Sequence, residues 1–142
     1  MSKFFRGRSV HRNIDLVDIV RYRLPAAGLV SILHRASGAL IFLLMPVFIW
    51  VFAASVSSAV SFGRLTAVFT AGLGLMPGWG VKLLAWAVIG ACLFHFIAGL
   101  RHMWMDLTHR VSMEQGRSSA VFTLLTSGSL WLLIGAKLLG VY

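Results

Sequence analysis

The sequence predicts an all-α integral membrane protein with three transmembrane helices, and three observations predict it. Of its 142 residues, 58% are hydrophobic and only 12% are charged, and the mean hydropathy is +0.86. A soluble domain needs more charge than that to cover its surface. The apolar residues also gather into runs, where a helix needs about 20 of them to cross the hydrocarbon layer. Finally, the basic residues gather at the ends of these runs, as they do beside membrane spans. The three spans leave no room for a soluble catalytic domain.

Residues 1–24 form a polar, basic arm in which Asp15, Asp18, Arg21 and Arg23 alternate with Ile14, Leu16, Val17, Ile19 and Val20. That pattern suits a short interfacial helix or a docking arm. Pro25 opens the first span, residues 25–58, because a proline in the first helical turn sacrifices no hydrogen bond. Pro46 lies inside this span and predicts a kink near Phe42 to Met45. Residues 59–80 read as an outer loop, since they hold Arg64 and the Gly- and Pro-rich stretch LGLMPGWG. The second span covers 81–107, the polar stretch THRVSMEQGRSS supplies a cytoplasmic loop over 108–118, and the third span covers 119–142. Gly128, Gly135 and Gly140 in the third span mark candidate close helix contacts.

The net charge is +9. Seven of the 13 Lys and Arg residues are Lys3, Arg6, Arg8, Arg12, Arg21, Arg23 and Arg35, all ahead of or at the start of the first span. They are not interleaved with aromatics on a polar surface, so the charge reads as an orientation signal and not as a nucleic-acid site. With Arg101, Arg110 and Arg117 on the same side, it places the N-terminus and the second linker in the cytoplasm and the C-terminus outside. The N-terminus has no apolar signal-peptide core, and the expected location is a bacterial inner membrane in preference to a mitochondrial one. The single cysteine, Cys92, lies in an apolar run and reads as a small hydrophobe.

Ionisable residues at membrane depth are costly and usually functional. In the second span His95, Gly99, His102 and Asp106 recur at i, i+4, i+7 and i+11, which is one helical face. At 1.5 Å per residue His95 lies about 20 Å along the helix from Lys82 and about 10 Å from His102. A neutral imidazole that deep suits haem iron; the alternative is a histidine hydrogen-bonded to a neighbouring helix. Gly99 leaves room for a flat macrocycle or a neighbouring backbone. Asp106 is one turn from His102 and can pair with it. In the first span Ser31, His34, Arg35 and Gly38 again share a face. A hydroxyl one turn from a guanidinium offers donors to a carbonyl oxygen, which is what a quinone headgroup requires. His34 and Arg35 also suit carboxylates such as haem propionates, while a lipid-facing arginine reaching for phosphate is the alternative for Arg35.

The strings SILHRASG (31–38) and HFIAGLRHMWMD (95–106) resemble the cytochrome b556 large membrane-anchor subunit of succinate dehydrogenase, respiratory complex II. The family pattern is a serine followed by H-R-x-[ST]-G in the first span, then H-x-x-x-G-x-R-H and an Asp in the second. The resemblance covers roughly residues 13–142. It implies that His95 is an axial ligand of one b-type haem and that Ser31 and Arg35 belong to a ubiquinone pocket. It also implies that His34, Arg35, Arg101 and His102 surround the haem propionates. A six-coordinate b haem needs two axial ligands, and His34 and His102 are expected nearer the surface than His95. The second ligand is then expected from a smaller three-helix anchor subunit, which gives a heterodimeric bundle in contact with lipid. The other implied partners are an iron–sulfur subunit and, through it, a flavoprotein subunit. The expected activity is succinate oxidation coupled to quinone reduction, to which this chain contributes the quinone and haem sites but not succinate oxidation. The alternatives are an anchor of a quinol:fumarate reductase and a haem-free structural membrane subunit.

Overall fold

The computed structural model describes residues 24–109 and 112–140. The arm before Leu24, with its expected interfacial helix, lies outside them. Helix α1 spans Ala26–Ser57, α2 spans Ala59–Ala71, α3 spans Gly78–Thr108 and α4 spans Met113–Leu138. At 1.5 Å per residue, α1, α3 and α4 are about 39–48 Å long, more than the roughly 30 Å hydrocarbon thickness. All three are long and apolar enough to cross a membrane.

Residues 59–80, expected as a loop, hold instead a helix and a tight turn. α2 has only 13 residues, about 20 Å, and is too short to cross the bilayer. Ser58 breaks the chain between α1 and α2 by taking an extended conformation. Its hydroxyl accepts from the Ser61 backbone N–H at 3.1 Å, and the Ser61 hydroxyl accepts in return from the Ser58 N–H at 3.2 Å. This reciprocal cap starts α2 without acidic residues. Ser58→Ala should loosen the first turn of α2 by about 1 kcal/mol, read as faster amide exchange there and not in α1. α2 ends at Gly72, whose φ of 92° a side chain would oppose. Leu73 and Met76 then exchange two backbone hydrogen bonds of 2.8 and 3.0 Å around Gly74, φ 60°. A positive φ at the first central residue alone defines a type II′ turn. Pro77 follows and α3 begins.

The segment expected as a loop over 108–118 is also shorter. His109, at φ 52°, closes α3 in the left-handed conformation. Ser112 caps α4, its hydroxyl accepting from Gln115 N–H at 3.3 Å, with Glu114 in the first turn where a negative charge favours the helix dipole. α4 therefore starts at Met113, within a stretch whose polarity reads as linker. α1 runs unbroken through Pro46.

The three long helices pack on one another, α3 against both α1 and α4. Their common interior is small: Val30, Ala98 and Ala120 are fully buried, together with the hydroxyl residues Ser37, Thr123 and Ser127. Phe42, Leu43, Trp50, Phe52 and Phe122 lie largely exposed. Small and hydroxylic residues inside with large apolar residues outside is the arrangement of helices packed in lipid, where closeness of backbones replaces a hydrophobic drive.

Candidate functional site

The site forms where the antiparallel helices α1 and α3 touch. Each carries a histidine followed four residues later by a glycine: His34 and Gly38 on α1, His95 and Gly99 on α3. The register sets each imidazole against the other helix's glycine. A Cβ at Gly38 would lie 2.8 Å from His95 Cε1, and one at Gly99 would lie 3.7 Å from His34 Nε2. The two rings stack, centroids 4.2 Å apart and 14° between planes. His102 joins them, its centroid 5.1 Å from that of His34. The three histidines form a ladder along the α1–α3 seam.

This corrects one expectation. His34 is not separated from His95 by depth, because the antiparallel register carries it to within a ring's thickness. Gly99 faces the His34 side chain at an ordinary van der Waals distance. Depth therefore does not decide which histidine meets a metal, but hydrogen bonding does. His95 Nδ1 lies 3.1 Å from the His34 carbonyl oxygen and 3.2 Å from Ser37 Oγ. Ser37 Oγ itself donates to that carbonyl at 3.0 Å. A carbonyl only accepts, so the contact with the His34 carbonyl suits a proton on Nδ1, the tautomer in which Nε2 of a neutral imidazole is the electron-pair donor. An imidazole oriented by its other nitrogen is the usual state of a metal-ligating histidine. His34 Nε2 is also buried and has no hydrogen-bond partner among the described residues. Stacked face to face, the two rings leave no space for one iron between their nitrogens.

Ser31 is half-buried and Arg35 exposed. With residue 34 opposite 99 and 38 opposite 95, Ser31 comes level with His102. Arg101 does not join the cluster. It sits on a different side of α3, and its guanidinium turns to α4, where Nε–H donates to Ser119 Oγ at 2.9 Å and Nη2–H donates to the Gly116 carbonyl at 3.1 Å. Arg101, expected beside haem propionates, makes a helix–helix contact with α4 in this structure. His102 faces His34, and no ion pair joins it to the exposed Asp106 among the described residues.

About a quarter turn around α3, a cleft of about 490 Å³ opens between α1, α3 and α4, lined by Leu33, Leu40, Ala91, Phe94, Leu124 and Trp131 among others. Its two hydroxyls are spent on their own helices, Ser37 on His34 O and Ser127 on Thr123 O at 2.7 Å. Both hydroxyls donate within the protein as it stands, and the rest of the lining is apolar apart from the Trp131 N–H, which donates to the Trp86 carbonyl.

A second ring-and-glycine device, missed in the sequence, joins α3 to α4. Trp86 and Trp131 stack at 4.4 Å and 19°. Each indole N–H donates to the other residue's backbone carbonyl at 2.8 Å. Gly135 lies under Trp86 and Gly90 under Trp131. The available signal was the repeated spacing, tryptophan then glycine four residues on, in both spans. Of the other third-span glycines, Gly128 and Gly140 face open space.

Comparison with known proteins gives this geometry its context. Residues 13–134 match the family described as succinate dehydrogenase/fumarate reductase transmembrane subunit. The succinate dehydrogenase cytochrome b556 subunit of Coxiella burnetii is 38% identical over 104 residues, 73% of this chain and 78% of that protein. The subunit of the same name from Paracoccus denitrificans is 29% identical over 99 residues, 70% of this chain and 71% of that one. Three apolar spans, paired histidine-and-glycine helices and this match agree: the chain is a multi-pass membrane protein that belongs to the succinate dehydrogenase/fumarate reductase transmembrane subunit family, as a subunit of the cytochrome b556 type.

Proposed function

We propose that this chain is the larger membrane anchor of a succinate:quinone oxidoreductase, holding one haem b through His95 and a ubiquinone at Ser31 and Arg35. The observation that carries the reading is the His95 Nδ1 contact with the His34 carbonyl. It fixes the ring and frees Nε2 as an electron-pair donor, and the donor set fits a b-type haem on this side. The stacking of His34 on His95 leaves no space for one iron between the two rings, so a second ligand would come from another chain, the smaller anchor subunit. Bound there, the haem supplies a one-electron store beside the quinone. His34 and His102 line the same seam, where a neutral or protonated imidazole offers donors to propionate carboxylates.

On α1, the Arg35 guanidinium and the Ser31 hydroxyl orient a quinone by donating to a carbonyl oxygen. The fixed positive charge of Arg35 favours negative charge developing on that oxygen as electrons arrive. The electrons come from succinate, by way of a flavoprotein and an iron–sulfur subunit docked on the cytoplasmic side. The grouping of basic residues supports that side as the one holding the N-terminus, in a bacterial inner membrane. The fumarate reductase direction is favoured less, since both relatives named above are succinate dehydrogenase subunits.

The test uses the purified complex. A reduced-minus-oxidised spectrum should show a b-type α band that His95→Ala abolishes. Arg35→Ala and Ser31→Ala should keep the band and lower quinone reductase activity at least about tenfold, as removal of an oriented donor does. Absence of the band from the unmodified complex would leave a haem-free structural subunit. Unchanged quinone reduction in both α1 variants would remove Ser31 and Arg35 from the quinone site.

A further inference from the structure

We propose that Arg101 is a positioning residue: by clamping α3 to the first turns of α4 it fixes the rotation of α3, and with it the aim of His95. The inference rests on the reading of His95 as a haem ligand. Three polar groups close the clamp. Arg101 Nε–H donates to Ser119 Oγ at 2.9 Å, Arg101 Nη2–H to the Gly116 carbonyl at 3.1 Å, and Ser119 Oγ to the same carbonyl at 3.3 Å. The planar fork of arginine reaches two acceptors at once, which the single ammonium of lysine does not reproduce. Arg101 is half-buried, and besides the Ser119 hydroxyl its guanidinium engages a backbone atom of α4, so it is tied in part to the helix itself.

Position gives the clamp its purpose. His102 is the next residue of α3 and stands in the histidine ladder, so the helix turns one side to α1 and the adjacent side to α4. At the other end of the α3–α4 contact the Trp86–Trp131 pair holds the same two helices. The anchors are about 22 Å apart along α3 at 1.5 Å per residue, and His95 lies between them. Two contacts with α4, one on either side of His95, hold α3 against turning about its axis more firmly than one.

The competing use of Arg101 is a direct contact with haem propionates, and Ser119 separates the two. Ser119 is on α4, so Ser119→Ala removes one of the clamp's two α4 acceptors while leaving the Arg101 charge in place. The experiment compares Arg101→Lys, Ser119→Ala, the double variant and Ser119→Thr in the intact complex, by thermal midpoint and by the haem's midpoint potential. Ser119→Ala should reproduce part of the Arg101→Lys shift in both readouts, since Arg101 keeps the Gly116 carbonyl. The double variant should shift no further than the larger single change, and Ser119→Thr, which keeps the hydroxyl, should restore wild-type values. A potential shifted by Arg101→Lys but not by Ser119→Ala overturns the proposal in favour of direct contact. Coupled thermal shifts with an unmoved potential overturn the positioning role, leaving a packing contact. If the unmodified complex holds no haem, the assignment of His95 fails and the positioning role with it, while the thermal cycle still decides whether the clamp exists.

Discussion

Gly38→Val should strip the complex of haem without substituting any histidine, on the proposed reading of His95 as a haem ligand. A Cβ at residue 38 would stand 2.8 Å from His95 Cε1 and 3.4 Å from its Nδ1. Two further methyl groups of valine fill the space the imidazole now occupies. His95 is held by short contacts to the His34 carbonyl and Ser37 Oγ, so it cannot slide aside and keep them. It must turn out, losing both the orienting bond and the direction of Nε2. Haem content, measured against flavin in the purified complex, should fall at least about tenfold, the scale on which orienting groups around a metal ligand act. Gly28→Val is the control: residue 28 also lies on α1, but its added Cβ meets only ordinary contacts of 3.6 Å or more. Haem content there should stay at the wild-type level. Equal loss in both variants would mean that the helix, and not the imbedded imidazole, is what valine disturbs.

The second large effect is expected at the far end of α3. A Cβ at Gly135 would fall 2.5–2.6 Å from Trp86 Nε1 and Cε2. Gly135→Ala must push the indole off its carbonyl, adding the overpacking penalty, about 1–3 kcal/mol, to the loss of a hydrogen bond worth about 1 kcal/mol. The thermal midpoint of the complex should drop accordingly. Trp86→Ala removes the ring that the new methyl meets, so the second change should cost little once the first is made. This non-additivity is the signature of direct contact. Additive losses would show that the two residues act separately.

How much of this was legible follows from what each feature depends on. The three spans were visible because apolar runs of such length have one use. α2 was not, since Ser, Thr and Gly dilute its pattern and its cap is serine on serine, with no acidic residue to announce a helix start. α4 begins inside a stretch read as linker because its first turns are polar, and they are polar because they carry the Ser112 cap and the partners of Arg101. Each site face was visible within its own helix, from spacing alone. The stacking of His34 on His95 was not, because it depends on the register between two helices, which no single-helix periodicity contains. The turn of Arg101 to α4 was hidden for the same reason: neighbouring residues on a helix point about 100° apart, and only the packing shows which neighbour takes which side. The tryptophan pair could have been found by asking why a bulky ring precedes a glycine by four residues in two spans.

The seam between His34 and His95 joins residues 61 positions apart in the chain. A polypeptide threaded into a bilayer from its N-terminus delivers α1 well before α3. In that interval the α1 imidazole stands without its stacking mate, and no ring yet fills the notch at Gly38. Biogenesis therefore has a stage in which half of the seam is exposed to lipid. On the proposed reading of His95 as a haem ligand, a porphyrin would be accepted only once both halves of the seam are in place.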